Sequence, residues 1–143
     1  MKPLKIFFLG ITLLIIGGCA STQSLDVEER TRSYGGVTKT QYIQSAINYF
    51  NEEGMPIDNI DRELGIVNTD YIHADAWESA MLGDSRTKIN LSISETEQGV
   101  RVVANMVYER KETFGGWRQA SLFGSTARSM YDDVFEGIEK YFK

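Results

Sequence analysis

The sequence predicts an α+β domain: an antiparallel sheet of about five strands, with an N-terminal and a C-terminal helix packed on one face. Three observations predict it. A capped segment with helical apolar spacing begins at Thr38, a second such segment closes the chain, and between them apolar and polar residues alternate as in half-buried strands.

The first helix follows Thr38. Thr38 and Gln41 have capping-box spacing, in which the Thr oxygen accepts an N–H and the Gln side chain reaches back. Tyr42, Ala46, Tyr49 and Phe50 recur at helical intervals, beside Ile43 and Ile47. Gly54 supplies a left-handed stop, and Pro56 forbids continuation. Two short strands are expected next, around Pro56–Asp61 and Gly65–Ile72, turned by Arg62-Glu63-Leu64. Ala74–Leu82 reads as a short crossover helix, with Trp77 and Met81 four residues apart and expected to cap the core.

Lys88–Thr96 sets Ile89, Leu91 and Ile93 against Asn90, Ser92 and Ser94, the period of a strand buried on one side. Gln98-Gly99 turns the chain. Val100, Val102, Ala104, Met106 and Tyr108 then line one face of the longest strand, with Val103 and Val107 on the other. Phe114-Gly115-Gly116-Trp117 reads as a hairpin with a two-residue Gly-Gly turn that pairs Phe114 with Trp117. A fifth strand through Leu122 follows. Ser125 or Thr126 caps the last helix, whose Met130, Val134, Ile138 and Tyr141 form a broad apolar face.

The N-terminus reads differently. Lys2 and Lys5 form a short positive region, Ile6 to Ile16 an apolar one, and the small residues Gly17 and Gly18 precede Cys19, the only cysteine. This is the layout of a secretory signal, and its apolar stretch is about half the roughly 20 residues that a spanning helix needs. Ile16-Gly17-Gly18-Cys19 resembles the lipobox of bacterial lipoproteins, departing from the commonest pattern only at Gly17. The resemblance implies cleavage between Gly18 and Cys19 and a diacylglyceryl thioether on the Cys19 sulfur. Without Asp after Cys19, it also implies sorting to the periplasmic face of the outer membrane in a Gram-negative host. Two or three acyl chains hold a protein at a membrane far more firmly than one.

The expected organisation is therefore a signal peptide over 1–18, a lipidated terminus and tether over 19–37, and one domain over 38–143. As a coil, the 18 largely polar residues 20–37 would reach roughly 23 Å. The segment AINYFNEEGMPIDNIDRELGIVNTDYI resembles the helix-grip domains of BamC-type lipoproteins of the outer-membrane assembly machinery. That resemblance covers about a quarter of the chain and bears on fold more than on activity.

Composition narrows the function. The first 19 residues contain two lysines and no acid, so the remainder carries 13 basic against 20 acidic residues. An acidic body argues against nucleic-acid binding and against electrostatic adhesion to anionic headgroups. A lone thiol forms no internal disulfide. Asp70, His73 and Asp75 invite a metal, but alternation puts His73 and Asp70 on opposite strand faces, and one histidine with acids is a poor transition-metal set. Glu52-Glu53, Asp58/Asp61/Glu63 and Asp132-Asp133 read as solvated faces and turns. No Gly-x-Ser-x-Gly occurs, and Gly115-Gly116 lacks the lysine and strand-to-helix setting of a phosphate loop. The expectation is a non-enzymatic domain that needs no cofactor or metal and binds another envelope protein. Phe114, Trp117 and Arg118 are the expected contact residues. The alternative is a carrier or sensor of a small apolar ligand between helices and sheet, lined by Tyr42, Tyr49, Phe135 and Tyr141.

Overall fold

The computed structural model describes residues 25–75, 83–121 and 124–142. Cys19, the Trp77–Met81 segment and Leu122 lie outside the described residues. The fold is α+β, an antiparallel sheet with two helices. In chain order the elements are β1 Thr31–Gly35, α1 Lys39–Glu52, β2 Ile57–Asp61, β3 Ile66–Thr69, β4 Ile72–His73, β5 Ser85–Thr96, β6 Gly99–Lys111, β7 Trp117–Gln119 and α2 Gly124–Glu139. Among the described residues, no helix is long and apolar enough to cross a membrane.

The spine of the sheet is the β5–β6 hairpin, paired without interruption from Ser85↔Arg110 to Thr96↔Gly99. Near the turn it is flanked by β3 on β5 and β1 on β6, with β2 outside β3; at the far end β4 adds to β5 and β7 to β6. Register fixes the faces. Ile89, Leu91 and Ile93 share one side with Val100, Val102, Ala104 and Val67. This side is buried under Tyr42, Ile43, Ala46 and Phe50 of α1 and Ala127, Val134, Phe135 and Ile138 of α2. Each large side chain enclosed there contributes about 1.5–3 kcal/mol relative to exposure. Gly137 lets the helices meet, since its Cα faces the Tyr49 ring.

Helix α1 begins with the expected box: the Thr38 hydroxyl accepts the Gln41 N–H, and the Gln41 side chain accepts the Thr38 N–H. It ends in a Schellman arrangement. Met55 N–H reaches Phe50 O at 2.8 Å and Gly54 N–H reaches Asn51 O, with Gly54 at φ 69°.

Several expectations need correction. The tether expected to run to residue 37 gives way to structure before that: Leu25 is buried and Thr31–Gly35 forms β1. The strand is held because Arg32 lies over the Phe135 ring and pairs with Asp132, while the Tyr34 ring packs on Tyr42 and Phe142. The second strand of the Gly65–Ile72 reading is broken into β3 and β4. At the end of β3, the buried Thr69 hydroxyl accepts the Ile89 N–H at 3.0 Å. Strand β5 starts three residues earlier than expected, at Ser85, and Thr96 pairs with Gly99, so that hairpin turns at Glu97-Gln98. The strand after Trp117 extends to Gln119, and α2 starts at Gly124 and ends before Tyr141.

Candidate functional site

The β5–β6 spine runs on past the helices, and its far half carries the groups with unusual surroundings. Alternation puts Arg86 and Lys88 of β5 on the helix-free face, with Glu109 of β6 directly opposite Arg86. Strand β4 sets His73 beside Arg86, and β7 sets Trp117 beside Lys111 on that same face. Four strands thus converge on one guanidinium. The Arg86 guanidinium lies 3.8 Å from the Tyr71 ring centroid and 4.4 Å from that of Trp117. Arg86 Nη2 is 2.6 Å from Glu109 Oε2, and the Tyr71 hydroxyl donates to Glu109 Oε1 at 3.1 Å. The His73 ring meets Trp117 edge-on at 5.5 Å between centroids.

A cation held between two rings and a carboxylate is fixed in position. Each cation–π contact contributes about 0.5–1 kcal/mol at a surface and more where water is excluded. The Tyr71 phenol is raised above its ordinary range, first by desolvation and then by its bond to Glu109. Lys88 ion-pairs with Asp58 of β2 at 3.0 Å, and that bond raises its ammonium.

The hairpin beyond this platform differs from the expected one. Lys111 pairs with Trp117, so the loop spans 112–116 instead of two residues, and neither Gly115 nor Gly116 has positive φ. Glu112 N–H to Gly116 O and Gly115 N–H to Glu112 O close it. Phe114 therefore does not pair with Trp117 and is fully exposed at the tip. Arg118 pairs in register with Arg110, hence on the other face from Trp117, and its Nε sits 2.8 Å from Glu112 Oε1. Of the three expected contact residues, the structure leaves Phe114 open, stacks Trp117 on Arg86, and turns Arg118 back onto its own loop.

A second feature lies on the helix side of the same far half. A cleft of about 450 Å³ opens between the helices and the sheet, walled by Tyr49, Met55, Ile72, Met106, Met130 and Val134. Of the four aromatic residues expected to line such a space, Tyr49 does. Tyr42 and Phe135 are buried in the core, and Tyr141 bonds Glu52 at 2.5 Å, which pushes its phenol up to about 12.

Asp70 accepts the N–H of Tyr71, and Asp132 pairs with Arg32. No group of three or more His, Cys, Asp or Glu suited to a metal ion occurs among the described residues. What sequence reading missed is the convergence of Tyr71, Glu109 and Trp117 on Arg86. Extending the Lys88–Thr96 alternation back by two residues would have placed Arg86 beside Lys88, the one available signal.

No family model and no curated protein matches the chain. Among solved structures it is similar to the crystal structure of a DUF4468 family protein from Bacteroides ovatus. The identity is 12% and the TM-score 0.46, over 86% of this chain and 91% of that one.

Proposed function

We propose that this chain is a lipid-anchored bacterial envelope protein whose domain, without catalysing a reaction, binds another envelope protein through the Phe114 loop and the Tyr71–Arg86–Trp117 platform. The observation that carries the binding half is Phe114, a large apolar ring fully exposed at the tip of a loop whose base is a stacked aromatic–arginine platform. Such rings and arginines dominate the energetics of interfaces, and a rigid base lowers the entropy lost on binding. The anchor half rests on the lipobox-like Ile16-Gly17-Gly18-Cys19, with outer-membrane placement expected in a Gram-negative host. The partial likeness to BamC-type lipoproteins agrees with this assignment and adds no partner.

Two variants test the halves separately. Cys19→Ser should abolish acyl labelling and release the protein from membranes; continued membrane attachment would sink the anchor. Phe114→Ser should leave the thermal midpoint unchanged and lower recovery of a cross-linked partner about tenfold or more, the scale of a lost aromatic anchor. Equal recovery would remove the loop from the interface.

A specific observation favours a second reading, a carrier of a small apolar ligand. The cleft has the volume of a ligand pocket, and Met55, Met106 and Met130, flexible and polarisable, can adapt to varied shapes. Met106→Trp should fill it and abolish binding of an apolar fluorescent probe without unfolding the domain. Undiminished probe binding would count against the cleft.

A further inference from the structure

Four of the six asparagines in the chain stand in one row across the helix-free face of the sheet. Asn59 of β2 pairs with Asn68 of β3, Asn68 with Asn90 of β5, and Asn90 with Asn105 of β6. Asparagine is depleted in strands, so four in register work against the fold's own local preference. Core packing does not account for them either, because the buried apolar side chains of these strands point to the opposite face. Nor do the amides form a ladder among themselves. Among the described residues, the side chains of Asn59, Asn68 and Asn90 bond to no other protein group. At the end of the row, Arg30 Nη1 donates to Asn105 Oδ1 at 3.0 Å.

The row offers one planar amide per strand, each with two donors and an acceptor, at the interstrand spacing of about 4.8 Å. It is itself uncharged. Its neighbours along the strands include Ile66, Ser92 and Val103 on one side, and on the other Val107 and Lys88, whose charge Asp58 neutralises; Ile66, Val103 and Val107 are half-buried. A peptide would be captured at a strand's free edge, which the row meets only at its outer end on β2, whereas β3 and β5 are paired on both sides. An anionic ligand would call for a cluster of cations. A neutral polyol fits better. An amide can bridge vicinal hydroxyls, and an extended chain of equatorially linked pyranoses repeats at nearly the spacing of the strands.

We propose that this row binds a β-1,4-linked glycan laid across the strands, about one sugar to each amide, with the C–H edges of the rings on the flanking aliphatic side chains. The assignment goes beyond the protein-binding reading and does not depend on it, since no residue of the row belongs to the Phe114 loop.

The test is a magnetic-resonance titration of the full chain in detergent micelles, labelled at asparagine, with cellotetraose and with the tetramer of N-acetylglucosamine. Maltotetraose, whose α-linked chain coils, is the control. The side-chain amide signals of Asn59, Asn68 and Asn90 should shift with at least one β-linked tetramer and not with maltotetraose. Asn90→Thr should weaken that binding about tenfold, the loss expected when a hydrogen-bonding partner is removed, while leaving the thermal midpoint equal or higher because Thr favours strands. Any one of four results would overturn the proposal: silent amides with both β-linked tetramers, equal shifts with maltotetraose, unchanged binding by Asn90→Thr, or a lowered midpoint that makes the row a folding device.

Discussion

Gly65 and Gly54 have nearly the same backbone and opposite surroundings, so a pair of alanine substitutions separates conformation from contact. Gly65 has φ 71° and Gly54 φ 69°, both left-handed. At Gly54, a Cβ would meet nothing within 4 Å. Gly54→Ala should cost only the left-handed penalty, about 1–2 kcal/mol. At Gly65, a Cβ would lie 2.1 Å from the Ile93 carbonyl oxygen, which is backbone and cannot swing aside. The Ile93 N–H also donates to Gly65 O at 2.8 Å, so parting the strands there strains that bond as well. Overpacking adds about 1–3 kcal/mol and the weakened bond about 1 kcal/mol, bringing Gly65→Ala to about 4 kcal/mol. With a domain of this size losing about 4–5 °C per kcal/mol, the thermal midpoint should fall by roughly 15–20 °C for Gly65→Ala and by roughly 4–10 °C for Gly54→Ala. Calorimetry of the two variants beside the parent measures both. Equal losses would refute the reasoning, because the close approach of β3 to β5 would then contribute nothing beyond φ.

Two further outcomes rest on buried polar groups. Thr69→Val keeps shape but leaves the buried Ile89 N–H without its acceptor, and should cost about 1–3 kcal/mol by urea unfolding. Thr69→Ser should cost less, and the reverse order would make the methyl, not the hydroxyl, the useful part. Burial pushes the Tyr42 phenol well above its ordinary range, and Tyr34 moves the same way. The unfolded chain releases these protons near pH 10 while the folded one keeps them. Stability present in full below about pH 10 should therefore fall by about 1.4 kcal/mol per pH unit for Tyr42 alone above it. Unfolding curves at successive alkaline pH values check this, and Tyr42→Phe should flatten the slope.

Local chemistry was legible in the sequence, and long-range pairing was not. Helix α1 could be read from Thr38 to Gly54 because its cap, apolar period and stop all lie within one segment. Strand β1 could not, since TRSYG acquires its burial from residues distant in the chain: Arg32 has to find Asp132 and the Phe135 ring, and Tyr34 has to find Tyr42 and Phe142. The Gly-Gly hairpin failed for a related reason. Those glycines permit a two-residue turn, but the register Lys111↔Trp117 leaves five residues in the loop. Four strands build the platform around Arg86, and the asparagine row crosses four as well, so neither exists until register is known. Phe114 could be placed at a loop tip from its Gly-rich surroundings, but its full exposure follows from the same register, which takes Trp117 away from it.

The early start of the folded part also changes what an anchor at Cys19 would do. An 18-residue tether would let the domain wander roughly 23 Å from the bilayer. With Leu25 buried, only residues 20–24 separate Cys19 from packed structure, and that link cannot exceed about 20 Å even at full extension. Its root-mean-square reach as a coil would be roughly 12 Å. On the lipid-anchor reading, the domain is therefore held close against the membrane. The Leu25–Arg30 segment, joined to α2 through the Glu29–Arg128 ion pair and to β6 through Arg30 O, then limits how far the domain can turn. Since the body is acidic, that closeness would come from the acyl chains and not from headgroup attraction. If the proposed anchor and interface both hold, a short link and an exposed Phe114 loop would together favour a partner that is itself close to the bilayer over one deep in the compartment.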